Sequence, residues 1–498
     1  MKENTKNKGK KEDIILFLCI FIFVIIANSA FLQRHYSSDA MCLIDLGYFE
    51  YPLNFFLLDG RVVSGAVCFL GGILNLPIDI YLFISGFIGM ILLSVSIIVL
   101  FKFTINYLEI KNKWIKSMIL LSVYTIIVNH MSIEYLLYPE SCVMCAGLLF
   151  SITAVTKYLN GKKGNWVDSF AFLMLSVLCY QGLINIFPTL VITFSFLKMR
   201  KNKKETLKFY IKEILKLGTM FVLVMLISAA LIFIFNNILQ NSTYRLERIE
   251  DALNLIAELP TYFVKIFLGQ TEKIPMYLSV IVMAIVSIII IVSKNNSLFL
   301  NYLLSSVTAY LFGVLPIAVW GYALSRTLMA VGAMMGISLL YITSTLNDKK
   351  EKIPTRRTKT VLISICVIFY FIFNVINNGV NSYEHLKAFR IDEEVGKKIS
   401  KLVNDYEESS GKEITKFSYC YDIEVQVYES EIKNLGALTE RKFAVPIKES
   451  LNYYCNKKLQ YVIFPDELYY NNFDGKNYTE FSEEQIIFVE DTLYMCVY

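Results

Sequence analysis

Charge is scarce in this chain, and so are histidine and tryptophan. Of 498 residues only 18% are Asp, Glu, Lys or Arg, while 55% are apolar. Soluble domains carry about 25% charged residues, so water-facing folds, disordered chains and nucleic-acid binders are poor fits. The three histidines, His35, His130 and His385, lie far apart with no i,i+4 partner, and zinc chemistry has no motif. No glycine-rich loop opens a helix, which leaves nucleotide binding without a signature, and no Ser-His-Asp arrangement follows from spacing. Ten cysteines are scattered. Most, such as Cys19, Cys68, Cys179 and Cys366, sit in apolar runs as small hydrophobes. Cys142 and Cys145 form a lone CxxC at the start of an apolar run, where packing is the better reading. The tail's Cys420, Cys455 and Cys496 are odd in number and indicate no disulfide framework.

What is abundant is apolar sequence in runs of membrane-spanning length. About 20 apolar residues cross the hydrocarbon layer, and such runs occur at 14–32, 80–101, 217–236, 275–293, 297–314, 327–345 and 360–377. The first is too long for a signal-peptide core and lacks a small-residue cleavage site, so it reads as a retained span. Residues 117–156 and 166–197 read as two hairpins, the first with its turn at the water surface around Glu134 and Glu140, the second broken at Tyr180-Gln181-Gly182 and Pro188. Residues 62–78 carry Gly-Gly and Leu-Pro breaks and are expected to lie in the interface. Eleven spans result.

Lysine placement agrees with that count. With the N-terminus in the cytoplasm, the inner segments hold 27 of the Lys/Arg residues and the outer loops hold seven, namely Arg34, Arg61, Arg245, Arg248, Lys265, Lys273 and Arg326. Nearly four to one is a strong positive-inside signal. Residues 377–498 reverse the sign, with 14 Lys/Arg against 22 Asp/Glu. The expected fold is therefore a polytopic α-helical protein of the cell membrane with three parts: a basic cytoplasmic N-terminus (1–13), a multi-span domain (14–377) and a small extracytoplasmic α/β domain (378–498). In that last part, 378–410 reads as a charged helix. KFSYCYDIEVQVY, KFAVPI, LQYVIFP and QIIFVEDTLYMCVY read as strands.

Polar groups near lipid are costly, so those that recur on one side are candidate site residues. Asp39 follows the first span closely. Asp45, Glu50, Asp59 and Arg61 lie in the same loop. Glu134 and Glu140 flank the first hairpin turn, Tyr180 and Gln181 break the second hairpin, and Arg326 stands alone in a long uncharged stretch. Transfer of a sugar from a lipid phosphate needs such groups: a carboxylate to take the acceptor proton, guanidinium forks for phosphate, and amide and aromatic groups for the sugar. Each has a plainer role beside it. External carboxylates are mostly solvated, Glu140 could favour a helix N-terminus, Arg326 could snorkel, and Tyr180-Gln181 could merely ease a tight turn.

The order of these motifs resembles the bacterial and phage O-antigen glucosyltransferase family (the Gtr type II proteins), multi-span members of the GT-C group. The residues that carry the resemblance are Asp39, Asp59-Gly60-Arg61, Tyr138-Pro139-Glu140-Ser141 and Tyr180-Gln181-Gly182, within roughly residues 10–380. It implies a GT-C-like membrane domain and inverting transfer of a hexose, glucose in that family. The donor would be a polyprenyl-phosphate-linked sugar and the acceptor a cell-envelope glycan, met on the extracytoplasmic face. By the same resemblance Asp39 is the catalytic base. Arg61 lines the site near the donor phosphate, Glu140, Tyr180 and Gln181 bind sugar, and Arg326 binds the phosphate. Members show paired acidic residues after the first span, whereas here Ser38 precedes Asp39, so that a second carboxylate would come from Asp45 or Glu50.

No cofactor is expected, since the lipid-linked sugar is a substrate. A need for a divalent metal is left open, and membrane lipids are the other expected partner. Two alternatives stay open: a glycan polymerase or ligase using a diphosphate-linked oligosaccharide, and a lipid-linked sugar flippase or transporter. Clustering of the candidate charges at one surface, rather than at the midplane, favours the enzyme.

Overall fold

A computed structural model describes residues 2–161, 165–199, 203–239, 260–261, 277–292, 296–315, 325–347, 353–421 and 436–497, without 444, 477 and 479. The membrane part consists of α1 (Lys2–Ala27), α2 (Ser38–Pro52), α3 (Val62–Ile73), α4 (Ile78–Tyr107), α5 (Lys113–Ile127), α6 (Ser141–Leu159), α7 (Asn165–Cys179) and α8 (Ile186–Lys198). It continues with α9 (Lys203–Leu239), α10 (Tyr277–Val292), α11 (Asn296–Val314), α12 (Met329–Thr345) and the first half of α13 (Ile353–Ser410). Six described stretches are long and apolar enough to cross a bilayer: Ile78–Tyr107, Ser141–Leu159, Gln181–Lys198, Thr206–Leu239, Ser297–Val314 and Arg357–Ser410. Large apolar side chains stay exposed along them, such as Ile211, Leu226 and Phe233 on α9 and Ile365, Phe369 and Ile376 on α13. Water would not tolerate such bands, and lipid does. The chain is a helical membrane protein with a small C-terminal sheet.

Those six are fewer than the eleven expected spans, and among the described residues several helices are short. The segments α3, α7, α10 and α12 are apolar but have 12–17 residues, and α5 has 15. At 1.5 Å per residue α3 is only about 18 Å long, too short to cross alone. The helix α5 stops at Ile127 because a turn follows it. The turn at 128–140, expected at the water surface, is buried throughout. Buried backbone outside helices persists only where protein groups satisfy it, and here they do. Asn129 Oδ1 accepts from Met131 N at 3.0 Å, and Ser132 Oγ accepts from Asn129 N at 3.0 Å. Ser85 Oγ donates to Pro139 O at 2.7 Å.

At the centre, α12 is buried on all sides. Its glycines permit this, because a side chain at Gly336 would collide with the backbone of α5 at Ile126, and one at Gly332 with Asn129. The outer end of α12 is thereby held against the buried turn.

The last candidate span and the first helix of the C-terminal domain are one element, α13. Beyond it a four-stranded sheet forms in the order β2-β1-β4-β3, with β1 (Lys416–Tyr421) parallel to β2 (Gln460–Tyr461) and β4 (Thr492–Val497), and β3 (Ile486–Val489) antiparallel to β4. Helices α14 (Ile447–Cys455) and α15 (Asp466–Asn472) complete it. Phe417, Leu493 and Met495 pack with Val395, Ile399 and Val403 of α13 in a separate apolar core. The expected strand KFAVPI is not one. Its Lys442 and the preceding Arg441 are drawn to Asp392 on α13, and residues up to Pro446 form the approach to α14. Residues 422–428 of the first expected strand lie outside the described residues, as do Arg245, Arg248 and Lys265.

Candidate functional site

The loop Asp59-Gly60-Arg61 is set by local geometry. Pro52 is followed by a single π-helical turn, Leu53–Leu57, and Gly60 then takes φ +73°, a conformation that suits glycine. Arg61 N donates to Phe56 O at 2.8 Å, which turns the arginine inward at the start of α3. Its guanidinium lies 3.3 Å from Asp59 Oδ2 and 3.4 Å from Glu140 Oε1, and over the Tyr180 ring at 5.0 Å. Gln181 donates its side-chain amide to the Asp59 carbonyl and so ties the second hairpin to this loop.

Arg326 forms the other half. It precedes α12, and its Nη1 lies 3.3 Å from Glu134 Oε2 while also donating to the Tyr138 hydroxyl. The Arg326 backbone N donates to the same Glu134 oxygen at 3.3 Å, and Tyr135 donates to the Arg326 carbonyl at 3.0 Å. Next to it, Asn185 donates to Thr327 O at 2.6 Å. Tyr135 and Tyr180 meet edge to face at 6.3 Å and join the two halves.

The structure thus brings Arg61, Glu140, Tyr180, Gln181 and Arg326 into one cluster. Asp39 sits in the first turn of α2, half-buried behind the N-cap Ser37, and its charge acts on both Glu140 and Arg326. Glu134, Asp59 and Tyr138 complete the cluster. Glu134 and Asp59 were visible in the sequence as external acids, but nothing there distinguished them as partners of the two arginines. Tyr138 was visible only as part of the Tyr-Pro-Glu-Ser run. The suggested second carboxylates are elsewhere: Asp45 is held by Lys458 at 2.8 Å and Asn452 at 3.0 Å, and Glu50 is exposed.

Three buried atoms in the cluster, Arg61 Nε, Glu134 Oε1 and Glu140 Oε2, have no hydrogen-bond partner among the described residues. Buried polar groups without partners are uncommon, and a donor and two acceptors left open together suit a ligand that carries both. Glu140 lies in the turn outside the spans. Burial and then the Asp39 charge push its carboxyl up to about 7, against the pull of Arg61. Arg61 therefore depends on Asp59 for its charge balance whenever Glu140 is protonated.

Sequence spacing held the histidines apart, but the fold does not. His35 Nδ1 and His385 Nε2 are 3.1 Å apart, and His385 Nδ1 meets Leu438 O at 2.7 Å, while His130 is buried elsewhere. Among the described residues no group of three His, Cys, Asp or Glu is placed to hold a metal ion. Cys145 is buried in α6, packed towards Gly89 of α4. Neither a known family model nor a curated protein matches this chain, so the functional argument rests on residues and geometry.

Proposed function

We propose that this protein is an integral-membrane glycosyltransferase. It moves a hexose from a polyprenyl-phosphate donor to a cell-envelope glycan on the extracytoplasmic face, with inversion. The observation that carries the reading is the cluster itself: two guanidinium groups, buried aromatic rings, and unpaired donor and acceptor atoms beside a half-buried carboxylate. The resemblance of its motifs to O-antigen glucosyltransferases supports the same reading.

In this mechanism the acceptor oxygen attacks the anomeric carbon from the face opposite the phosphate. Its proton passes to Asp39 as the new C–O bond forms, and the bond from the anomeric carbon to the phosphate oxygen breaks. Asp39 suits the base because, unlike Glu134 and Glu140, it is not fully buried. Arg61 and Arg326 stabilise the leaving phosphate as its charge grows. A phosphate arriving beside Glu140 favours that carboxyl's neutral form, which frees Arg61 to bind the anion.

We also propose that eleven helices cross the membrane: α1, α4 to α13 (α2 and α3 lying at the outer surface). The helix ends support this. The ends of α4, α8 and α12 share one cavity of about 190 Å³, lined by Tyr107, Lys198 and Asn347 among others. Trp114 at the start of α5 donates to Ser364 of α13 at 2.9 Å, and Asp13 of α1 meets Lys102 of α4 at 2.7 Å. All of these lie on the lysine-rich side, whereas the proposed site gathers the opposite ends of the same helices.

The direct test supplies purified protein with a radiolabelled polyprenyl-phosphate hexose and envelope glycan. Wild type is expected to label the glycan. Asp39→Asn should lose roughly 10²–10⁴-fold in rate, the range for a removed general base, while still binding donor. Full turnover in that variant would remove Asp39 from the mechanism.

A further inference from the structure

The outer domain reaches into the proposed site through the segment 436–446. Ser38, next to Asp39, donates its hydroxyl to Glu440 and lies 3.1 Å from Val445 O. Glu440 is half-buried and its charge acts on Tyr138 and Glu134, the groups that hold Arg326. The segment is firmly anchored on α13. Asp392, fully buried, is 2.7 Å from the Arg441 guanidinium and accepts from Lys442 N at 2.9 Å. Lys442 itself is buried, its ammonium donating to Glu440 O at 2.6 Å, and its charge acts towards Asp39.

Two features of this corner go beyond domain docking. The Thr439 hydroxyl is 1% exposed and has no hydrogen-bond partner among the described residues. The two carboxylates here, Asp39 and Glu440, both remain half-buried, unlike Glu134 and Glu140 on the arginine side. An incoming acceptor must place a hydroxyl at Asp39, and Glu440 is the carboxylate bound by Ser38, the residue before Asp39.

We propose that Ser38, Thr439, Glu440 and Lys442 form the acceptor subsite and that it takes a neutral, hydroxyl-bearing glycan. This inference rests on the glycosyl-transfer reading. Glu440 supplies the second carboxylate beside Asp39 that neither Asp45 nor Glu50 is placed to supply. It accepts hydrogen bonds from sugar hydroxyls and positions them, while Lys442 offsets one of the two negative charges from behind. The remaining negative charge disfavours acceptors that carry uronate or phosphate.

The test uses full-length protein in detergent with bacterial envelope polysaccharide fragments, separated into neutral and acidic fractions. In Glu440→Gln, the KM for the neutral acceptor should rise about tenfold or more, the loss of one charge-assisted hydrogen bond. The acceptor KM should rise several-fold more than the donor KM, and Glu440→Asp should recover part of the loss. An unchanged acceptor KM, or a wild-type preference for the acidic fraction, would overturn the proposal. Equal falls in donor hydrolysis and acceptor use would mark Glu440 as merely structural and overturn it too. If wild type shows no donor turnover at all, the glycosyl-transfer reading fails separately. Direct binding then decides the subsite, with neutral fragments bound by wild type but not by Glu440→Gln as the supporting result and equal binding as the refuting one.

Discussion

Arg61 and Arg326 meet the same demand, a cation kept near lipid without a bulk-water shell, by different means. Among the described residues Arg326 has one carboxylate within salt-bridge distance, Glu134, and that oxygen also accepts from its backbone. Removing one member of a buried pair leaves the other uncompensated, at about 3–5 kcal/mol. Arg326→Ala should therefore weaken donor affinity and also lower the thermal stability of the detergent-solubilised protein. Adding Glu134→Gln should restore most of the stability but none of the donor affinity. If the double variant regains donor binding, Arg326 serves packing rather than phosphate. Arg61 has two carboxylates, and one of them, Glu140, titrates near 7. As pH rises through that value Glu140 ionises and competes with phosphate for Arg61, so donor affinity should fall. Glu140→Gln, a fixed neutral mimic, should keep tight donor binding and flatten the profile, measured by donor titration across that range. An unaltered slope would break the link between Glu140 and donor. The lone arginine in an uncharged stretch was legible in sequence as a candidate, and the fold places it in the cluster. Its pairing with Glu134 was not legible, because an acid beside a span is common and only three-dimensional contact distinguishes this one.

At the level of elements, long apolar runs were readable because a helix in lipid must satisfy its own backbone, and composition records that directly. The buried turn at 128–140 was not readable. Its two acids pointed to water, whereas the fold covers them and pairs each with an arginine from a distant segment. KFAVPI misled for a related reason. Its alternation suits a strand, but Asp392 on α13 captures Arg441 and the Lys442 backbone. The contact of His35 with His385, separated by 350 positions, was equally invisible to spacing rules. It joins the stretch after α1 to α13 and to Leu438 of the outer segment. Burial first, then the Lys442 charge, lowers His35 from its usual 6.5 to about 4. Between those values the unfolded chain binds more protons than the folded one. The stability His35 contributes is therefore complete above about 6.5 and lost as pH falls towards 4. Limited proteolysis of the outer domain should accelerate over that window, and less so in His35→Asn. Equal acid sensitivity in the two proteins would place the effect elsewhere.

For the molecule as a whole, the proposed sidedness rests on lysine bias, and the continuous α13 makes it testable. The helix begins at Ile353, inside the basic stretch 347–359 that loop bias assigns to the cytoplasm, and ends at Ser410 in the acidic domain. In the proposed topology, one crossing by α13 puts the C-terminal domain on the face opposite Lys111 and Trp114, which sit where α4 turns into α5. Choice of reporter matters, because a cysteine at His385 would be buried and silent in either orientation. Ile463, 85% exposed on the outer domain, and Lys111, exposed between α4 and α5, are suitable positions. In a background lacking the ten native cysteines, a membrane-impermeant maleimide applied to intact cells should label Ile463→Cys. Lys111→Cys should react only after the membrane is opened. Labelling of Lys111→Cys in intact cells with protection of Ile463→Cys would invert the topology and put the arginine cluster in the cytoplasm. Labelling of both would mean an even number of crossings between residues 111 and 463. In either case the lipid-linked donor would have to be presented from a different leaflet than the one proposed.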